Sequence, residues 1–436
     1  MTASAAPPRA RPWRDPGKLI GQPGFRRLWF GQSVSELGSQ VTTLALPLAA
    51  VLVLHASTFQ VGLLTTAAFA AFLLVGLPAG AWVDRLRRRP IMIGADVVRA
   101  VALASVPVAY GLGALTLAQL YIVAFVTGTA SVFFDVAYMS YVPGLVGVDH
   151  VVEANAKLQV SASLAQVGGP SAAGYLVGLL GAPAAFLADA GSFVVSVLSI
   201  AVIREREPAP VRASPRTIRA EVAEGVRFVV REPILRMIAG CTSTYNLFNT
   251  AIYAIVVVFL VRQVHLQASA IGLIMSAGAV GGVIGGLSAS LLRRWLGSGR
   301  VIWVSVTVTA PFALLIPVTR AGAGLAFFGV ATFVSSLGGV VYNVNQASFR
   351  QLLCPPELLG RMNATIRFIV WGTIPLGGLL GGTLGGWLGN RDAIWVAAVG
   401  VALAPAWLLV SPLRRLRDTP APVAGWHQPP AEPATD

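Results

Sequence analysis

The stretch GAWVDRLRRRP, residues 80–90, decides how this chain is read. It carries Asp84 with Arg85, Arg87, Arg88 and Arg89, and it separates apolar runs at 59–82 and 91–113. Crossing a hydrocarbon core about 30 Å thick takes about 20 residues of helix. Each flank is long enough, so the charged stretch reads as a short loop between two membrane spans. Further apolar runs follow the same rule at 26–54, 115–143, 151–180, 183–203, 234–262, 268–292, 300–319, 324–353, 360–389 and 391–411. The first is too long for a signal-peptide core and lacks a small-residue cleavage site, so it is read as an uncleaved helix.

Composition agrees. Of 436 residues, 55% are hydrophobic and 11% charged, with a mean hydropathy of +0.72, whereas soluble domains carry about 25% charged residues. The expected fold class is an all-α integral membrane protein of 12 transmembrane helices. Positive charge collects in cytoplasmic loops. With the N-terminus inside, Arg9, Arg11, Arg14, Lys18, Arg26, Arg27, the four arginines of 85–89, Lys157, eight arginines from Arg204 to Arg236, and Arg293, Arg294, Arg300, Arg350, Arg361, Arg367, Arg414, Arg415 and Arg417 all fall inside. Arg262, Arg320 and Arg391 fall outside, and Arg99 alone lies within a helix. Both termini are therefore expected in the cytoplasm. This scatter excludes the continuous basic patch of a nucleic-acid binder, despite a pI near 10.9.

The segment 204–233 breaks the apolar pattern with charges and prolines and ends in amphipathic spacing at Ile218, Val222, Val226 and Val229. It divides the chain into a tail (1–25), a six-helix half (26–203), a linker whose basic helix suits anionic headgroups (204–233), a second half (234–411) and a tail (412–436). The halves look related. Asp135 precedes Asn155 by as many residues as Asn343 precedes Asn363, and GAWVDRLRR at 80–88 has a weakened counterpart, GLSASLLRR, at 286–294. Parallel repeats of this kind are one transporter architecture.

Gly80, Asp84, Arg85, Arg88 and Arg89 resemble the signature loop of the major facilitator superfamily. SELGSQVTTLALP (35–47), FFDVAYMSYVPGLV (133–146), EANAKLQ (153–159) and FLADAGSF (186–193) are similar to its branch of macrolide-efflux and enterobactin-export proteins. The resemblance implies a rocker-switch carrier with its first, fourth, seventh and tenth helices around a central cavity, and a loop aspartate and arginines that steady the outward-open state. Ser290 stands at the aspartate position of the second copy, so the first copy alone is expected to act. Gly169, Pro170 and Gly174 resemble the antiporter motif of the fifth helix, although Ala165 replaces an upstream glycine.

Polar residues at steps of three and four share a helix face. They run through Ser33, Glu36, Gln40 and Thr43 in the first helix, Thr127, Ser131, Asp135 and Tyr138 in the fourth, Thr242, Tyr245, Asn249 and Tyr253 in the seventh, and Ser335, Tyr342, Asn343, Gln346 and Arg350 in the tenth. Gln40, Tyr138, Tyr245, Asn249, Tyr342, Asn343 and Gln346 are the expected cavity residues, although interhelical hydrogen bonds alone would place such side chains too. The glycine runs in the eighth and eleventh helices are packing faces, not nucleotide loops, because no strand precedes them.

The acids expected to be buried in spans are Glu36, Asp96, Asp135 and Asp189, all in the first half, and Arg99 at i+3 spacing is expected to satisfy Asp96 locally. A charge at the bilayer centre costs at least about 2.5–3.5 kcal/mol, so each needs a partner, a wet cavity or a proton. Glu36, Asp135 and Arg99 come out at similar depth. The expectation is that the two carboxylates alternate between protonation and pairing with Arg99 or a cationic substrate, with a static charge cluster as the alternative.

The expected activity is export of a small amphiphilic compound from a bacterium, across its cytoplasmic membrane, by proton antiport. No cofactor beyond the proton gradient and no metal is expected. The expected partners are the lipid bilayer, the substrate and protons, with the monomer as the working unit and no nucleic acid. An importer or facilitator on the same fold is the nearest rival, and a non-transporting sensor or scaffold the next. An enzyme is not expected, since no nucleophile has an adjacent base and His55, His150, His265 and His427 lie in loops or tails. Cys241 and Cys354 have no ligand company.

Overall fold

The apolar runs fold as helices, because only a helix or a closed barrel satisfies its own backbone hydrogen bonds in lipid. The computed structural model describes residues 19–83, 85–147, 150–203, 226–355 and 358–418, and no strand occurs among them. The helices are α1 (Pro23–Leu52), α2 (Thr58–Val83), α3 (Arg88–Gly111), α4 (Leu117–Val146), α5 (Val151–Leu180), α6 (Ala182–Ala201), α7 (Pro233–Arg262), α8 (Ala268–Leu296), α9 (Arg300–Thr309), α10 (Leu325–Leu353), α11 (Leu359–Leu388) and α12 (Asn390–Leu403).

Among the described residues, nine helices are long and apolar enough to cross a membrane: α2, α3, α4, α6, α7, α8, α10, α11 and α12 with its short extension. The other three differ for physical reasons. Helices α1 and α5 have 30 residues each, but their polar faces dilute the apolar character. Helix α9 ends at Thr309 and tightens into a 3₁₀ segment, Ala310–Leu315, where Pro311 removes a donor and crowds the preceding turn. Of the expected linker helix, residues 226–231 are helical, with Phe228 and Val229 buried. Ile218, Val222 and the rest of 204–225 lie outside the described residues.

The first six helices and the last six repeat one packing scheme. Helix α1 packs on α5 and α6, and α7 on α11 and α12; α4 packs on α2 and α3, and α10 on α8 and α9. The turns repeat as well. Gly181 alone joins α5 to α6 and Gly389 alone joins α11 to α12, at φ 82° and 87°, a backbone that glycine adopts without penalty. His55 and His265 both occupy the left-handed region in the α1–α2 and α7–α8 turns.

Close backbone approach holds each set together, since lipid tails give no hydrophobic drive to helix association. Gly128 of α4 abuts the Ala68 carbonyl of α2, and Gly281 and Gly285 of α8 abut the Phe333 and Leu337 carbonyls of α10.

The two sets meet mainly through α2 on α11 and α5 on α8. Thr58 donates to the Asn390 side chain at 2.8 Å, Thr66 to the Pro375 carbonyl at 3.1 Å, and Arg262 to the Ala56 carbonyl at 2.7 Å. Ser171 and Ser276 share a hydrogen bond of 2.8 Å. These contacts start at the end bearing the α1–α2 and α11–α12 turns and reach mid-depth, where Phe72 meets Trp371 edge-on at 5.0 Å. One turn beyond, Gly76 has no neighbouring atom within 4 Å of where a Cβ would stand. The opposite end, with the α2–α3 and α8–α9 turns, carries the exposed Arg85, Arg87, Arg293, Arg294 and Arg300.

Candidate functional site

Helix α1 brings Glu36 to a half-buried position, where Gln32, one turn earlier, donates to it at 3.2 Å. Helix α4 brings in Asp135, also half-buried, with Tyr138 one turn on. Glu36, Arg99 and Arg367 are the charges close enough to act on the Asp135 carboxylate, and Glu36 and Asp135 both act on the Tyr138 hydroxyl. The two carboxylates expected to work together are thus brought into one neighbourhood. Among the described residues, neither has an oppositely charged side chain within ion-pair distance.

Arg99 is paired within its own helix. It is 7% exposed and paired with the fully buried Asp96 one turn below. Its guanidinium lies between the Phe134 ring at 4.5 Å and the Phe193 ring at 4.2 Å, and it reaches Ser131 at 3.5 Å. In this conformation four partners on three helices hold it, the arrangement of a static charge cluster. Asp189 is likewise committed, accepting from Thr42 of α1 and, at 3.1 Å, from Ser192.

A correction concerns Arg367, counted from sequence among the loop cations. It sits two turns inside α11, about 12 Å along the helix, with its guanidinium over the Trp371 ring at 4.3 Å. The missed signal was its own position: seven residues past the start of the apolar run 360–389 is not a loop.

The expected cavity residues divide. Along α7 from Cys241 to Val261, only Asn249 and Tyr253 are exposed, and on α10 Asn343 is exposed and accepts from Gln346 at 2.9 Å. Tyr342 and Gln346 instead are 7% and 3% exposed; Tyr342 is a strut to Thr242 of α7 at 2.7 Å. Tyr245 is half-buried, its hydroxyl over Gly339. Gln40 is wedged against Gly169, where a Cβ would overlap its side chain. Pro170 and Gly174 meet Gly272 of α8, so the antiporter-like motif lies where α5 joins α1 on one side and the second set on the other.

In the signature loop, Arg89 donates to the Ile200 and Ala201 carbonyls at 3.1 and 2.6 Å, tying α3 to the end of α6. Arg88 is half-buried and Arg85 exposed. Gly80 lies in the last turn of α2, and Asp84 lies outside the described residues. No group of three or more His, Cys, Asp or Glu suited to a metal occurs among the described residues.

The comparisons agree with this architecture. The family profile described as Major Facilitator Superfamily matches residues 28–374. The multidrug efflux pump Tap of Mycolicibacterium fortuitum is 27% identical over 403 residues, covering 87% of this chain and 92% of that protein. The enterobactin exporter EntS of Salmonella choleraesuis is 26% identical over 413 residues, covering 92% and 96%. The crystal structure of a bacterial homologue of the iron transporter ferroportin in its inward-facing state superposes with a TM-score of 0.73 at 18% identity, covering 88% of this chain and 98% of that one. Its outward-facing counterpart gives 0.59 at 20% identity, with the same coverage.

Proposed function

The chain belongs to the major facilitator superfamily, and from that premise we propose that it is a proton-coupled antiporter that exports a small amphiphilic compound across a bacterial cytoplasmic membrane. Twelve helices span the bilayer with both termini in the cytoplasm. The arginine-rich end is then the cytoplasmic one, following the bias of positive charge, and the conformation is inward-open. The observation that carries the reading is the closeness of Glu36 and Asp135, neither with a cationic side chain within ion-pair distance among the described residues, at the depth where the contacts between the two sets of helices stop. A carboxylate so placed takes a proton or a cation when the cavity is wet, and each choice changes the cost of enclosing it. Export as the direction rests on the efflux and exporter names of the relatives.

The cycle runs by rocking. Gly169, Pro170 and Gly174 form a close contact surface between α5 and its neighbours, and the α2–α11 contacts at the end bearing the α1–α2 turn open as the cytoplasmic side closes. Asn249, Tyr253 and Asn343 offer polar and aromatic groups to the cargo from the second set.

Everted membrane vesicles with an acidified interior, supplied with a fluorescent amphiphilic cation, test the reading. Wild type accumulates the probe. Glu36→Gln and Asp135→Asn lose gradient-driven accumulation yet still bind the probe. Intact accumulation and pH dependence in both variants would remove the coupling role.

A further inference from the structure

Arg367 is a guanidinium inside a membrane helix with no carboxylate within ion-pair distance among the described residues. Such a group implies a partner, since its unpaired burial is costly. Helix packing identifies one. Helices α2 and α4 run in the same direction, with Tyr121 donating to the Gln60 carbonyl at 3.1 Å and Gly128 abutting Ala68. Carried on two turns, that register puts Asp135 level with Val75. Helix α11 runs against α2, with Thr66 bonded to Pro375, Phe72 on Trp371, and Leu73 against Gly372. One turn further, Arg367 is level with Gly76. Asp135 and Arg367 thus flank α2 at one depth from opposite sides, near enough for the arginine to act on the carboxylate. Between them lies Gly76, beside open space.

The geometry points to an interdomain latch: as the arginine-rich end closes, α11 zips onto α2 past Trp371, the bare backbone of Gly76 admits Arg367, and Arg367 pairs with Asp135. The inference deepens the alternating-access reading and rests on it. In the open state Arg367 is parked on Trp371. The other charges facing Asp135 are Glu36 and the clamped Arg99, so Arg367 is the cation that arrives with the second set. The pair competes with a proton or a cationic cargo for one carboxylate, which links closure of the empty carrier to what Asp135 holds.

The test reads conformation, not transport. In a background with Cys241 and Cys354 replaced, spin labels on Leu86→Cys and Trp295→Cys, both exposed near the arginine-rich end, report its opening by double electron–electron resonance in lipid nanodiscs. Wild type shows a long and a short distance. Arg367→Gln lowers the short population relative to the long by at least about fivefold, the lower bound of ordinary coupling between states. Gly76→Leu, whose side chain starts in open space in the present conformation, does the same without loss of thermal stability. The charge swap Asp135→Arg with Arg367→Asp regains the short distance that each single change loses.

A short population unchanged in Arg367→Gln or in Gly76→Leu overturns the latch. So does a swap no better than its singles, or a wild type that never shows the short distance. Normal distance changes in a protein that moves no probe would count against the export reading and leave the latch standing.

Discussion

Gly272→Ala separates a strain on one conformation from a strain on the fold. A Cβ at Gly272 would run into the Pro170 carbonyl oxygen and stand 3.0 and 3.1 Å from the Cα and N of Gly174. All three are backbone atoms, which cannot rotate away, so α5 and α8 must part. One methyl forced into a closed contact costs about 1–3 kcal/mol. The strain exists only while α5 and α8 touch, so it is subtracted from the conformation described here, shifting the balance about 5- to 150-fold toward one in which they part. Ser171 and Ser276, with hydroxyls 2.8 Å apart across the same interface, supply the assay. Converted to cysteines in a background lacking Cys241 and Cys354, they crosslink rapidly under oxidation, and Gly272→Ala slows that reaction by at least fivefold. Gly128→Ala is the control, because its Cβ meets the Ala68 carbonyl within the first set. It lowers thermal stability and leaves the crosslinking rate alone. Crosslinking of Gly272→Ala at the parent rate, or equal slowing by Gly128→Ala, would refute the reasoning.

Asp96→Ala leaves Arg99 buried without its carboxylate and lowers stability by about 3–5 kcal/mol, read by thermal unfolding in detergent, whereas the double change Asp96→Leu with Arg99→Met costs less than the single one. Gly181→Ala and Gly389→Ala add a Cβ that meets almost nothing and so report backbone strain alone. Each costs about 1–3 kcal/mol, with the two values equal within error because the two turns share one geometry.

Much of this molecule is legible in the string of residues, for reasons that can be named. Where a long helical run is bounded by charge or glycine, as at 151–180 or 234–262, backbone hydrogen bonding in lipid leaves little choice of helix limits, and the structure places α5 and α7 at Val151–Leu180 and Pro233–Arg262. That Glu36 and Asp135 lie on polar helix faces at similar depth was readable from helical spacing. Helix α9 was read too long because hydropathy does not register the break at Pro311. Tyr342 was read as a cavity residue because a polar face says only that a side chain needs company. Whether the company is a ligand or Thr242 depends on the neighbouring helix.

The sequence by itself determined that the chain is a membrane protein of apolar helices in two related sets, with arginines gathered at one end and four acids deep in the spans of the first set. These are properties of single helices against lipid, set by local composition and period. Only the tertiary structure decided which charges are spent and which are open. Asp96 and Arg99, at i and i+3, were readable as a pair, whereas Asp135 and Arg367 come level on either side of α2 from distant parts of the chain. Pairing is a matter of distance, and the distance between two helices is set by where bare glycine backbone lets them touch.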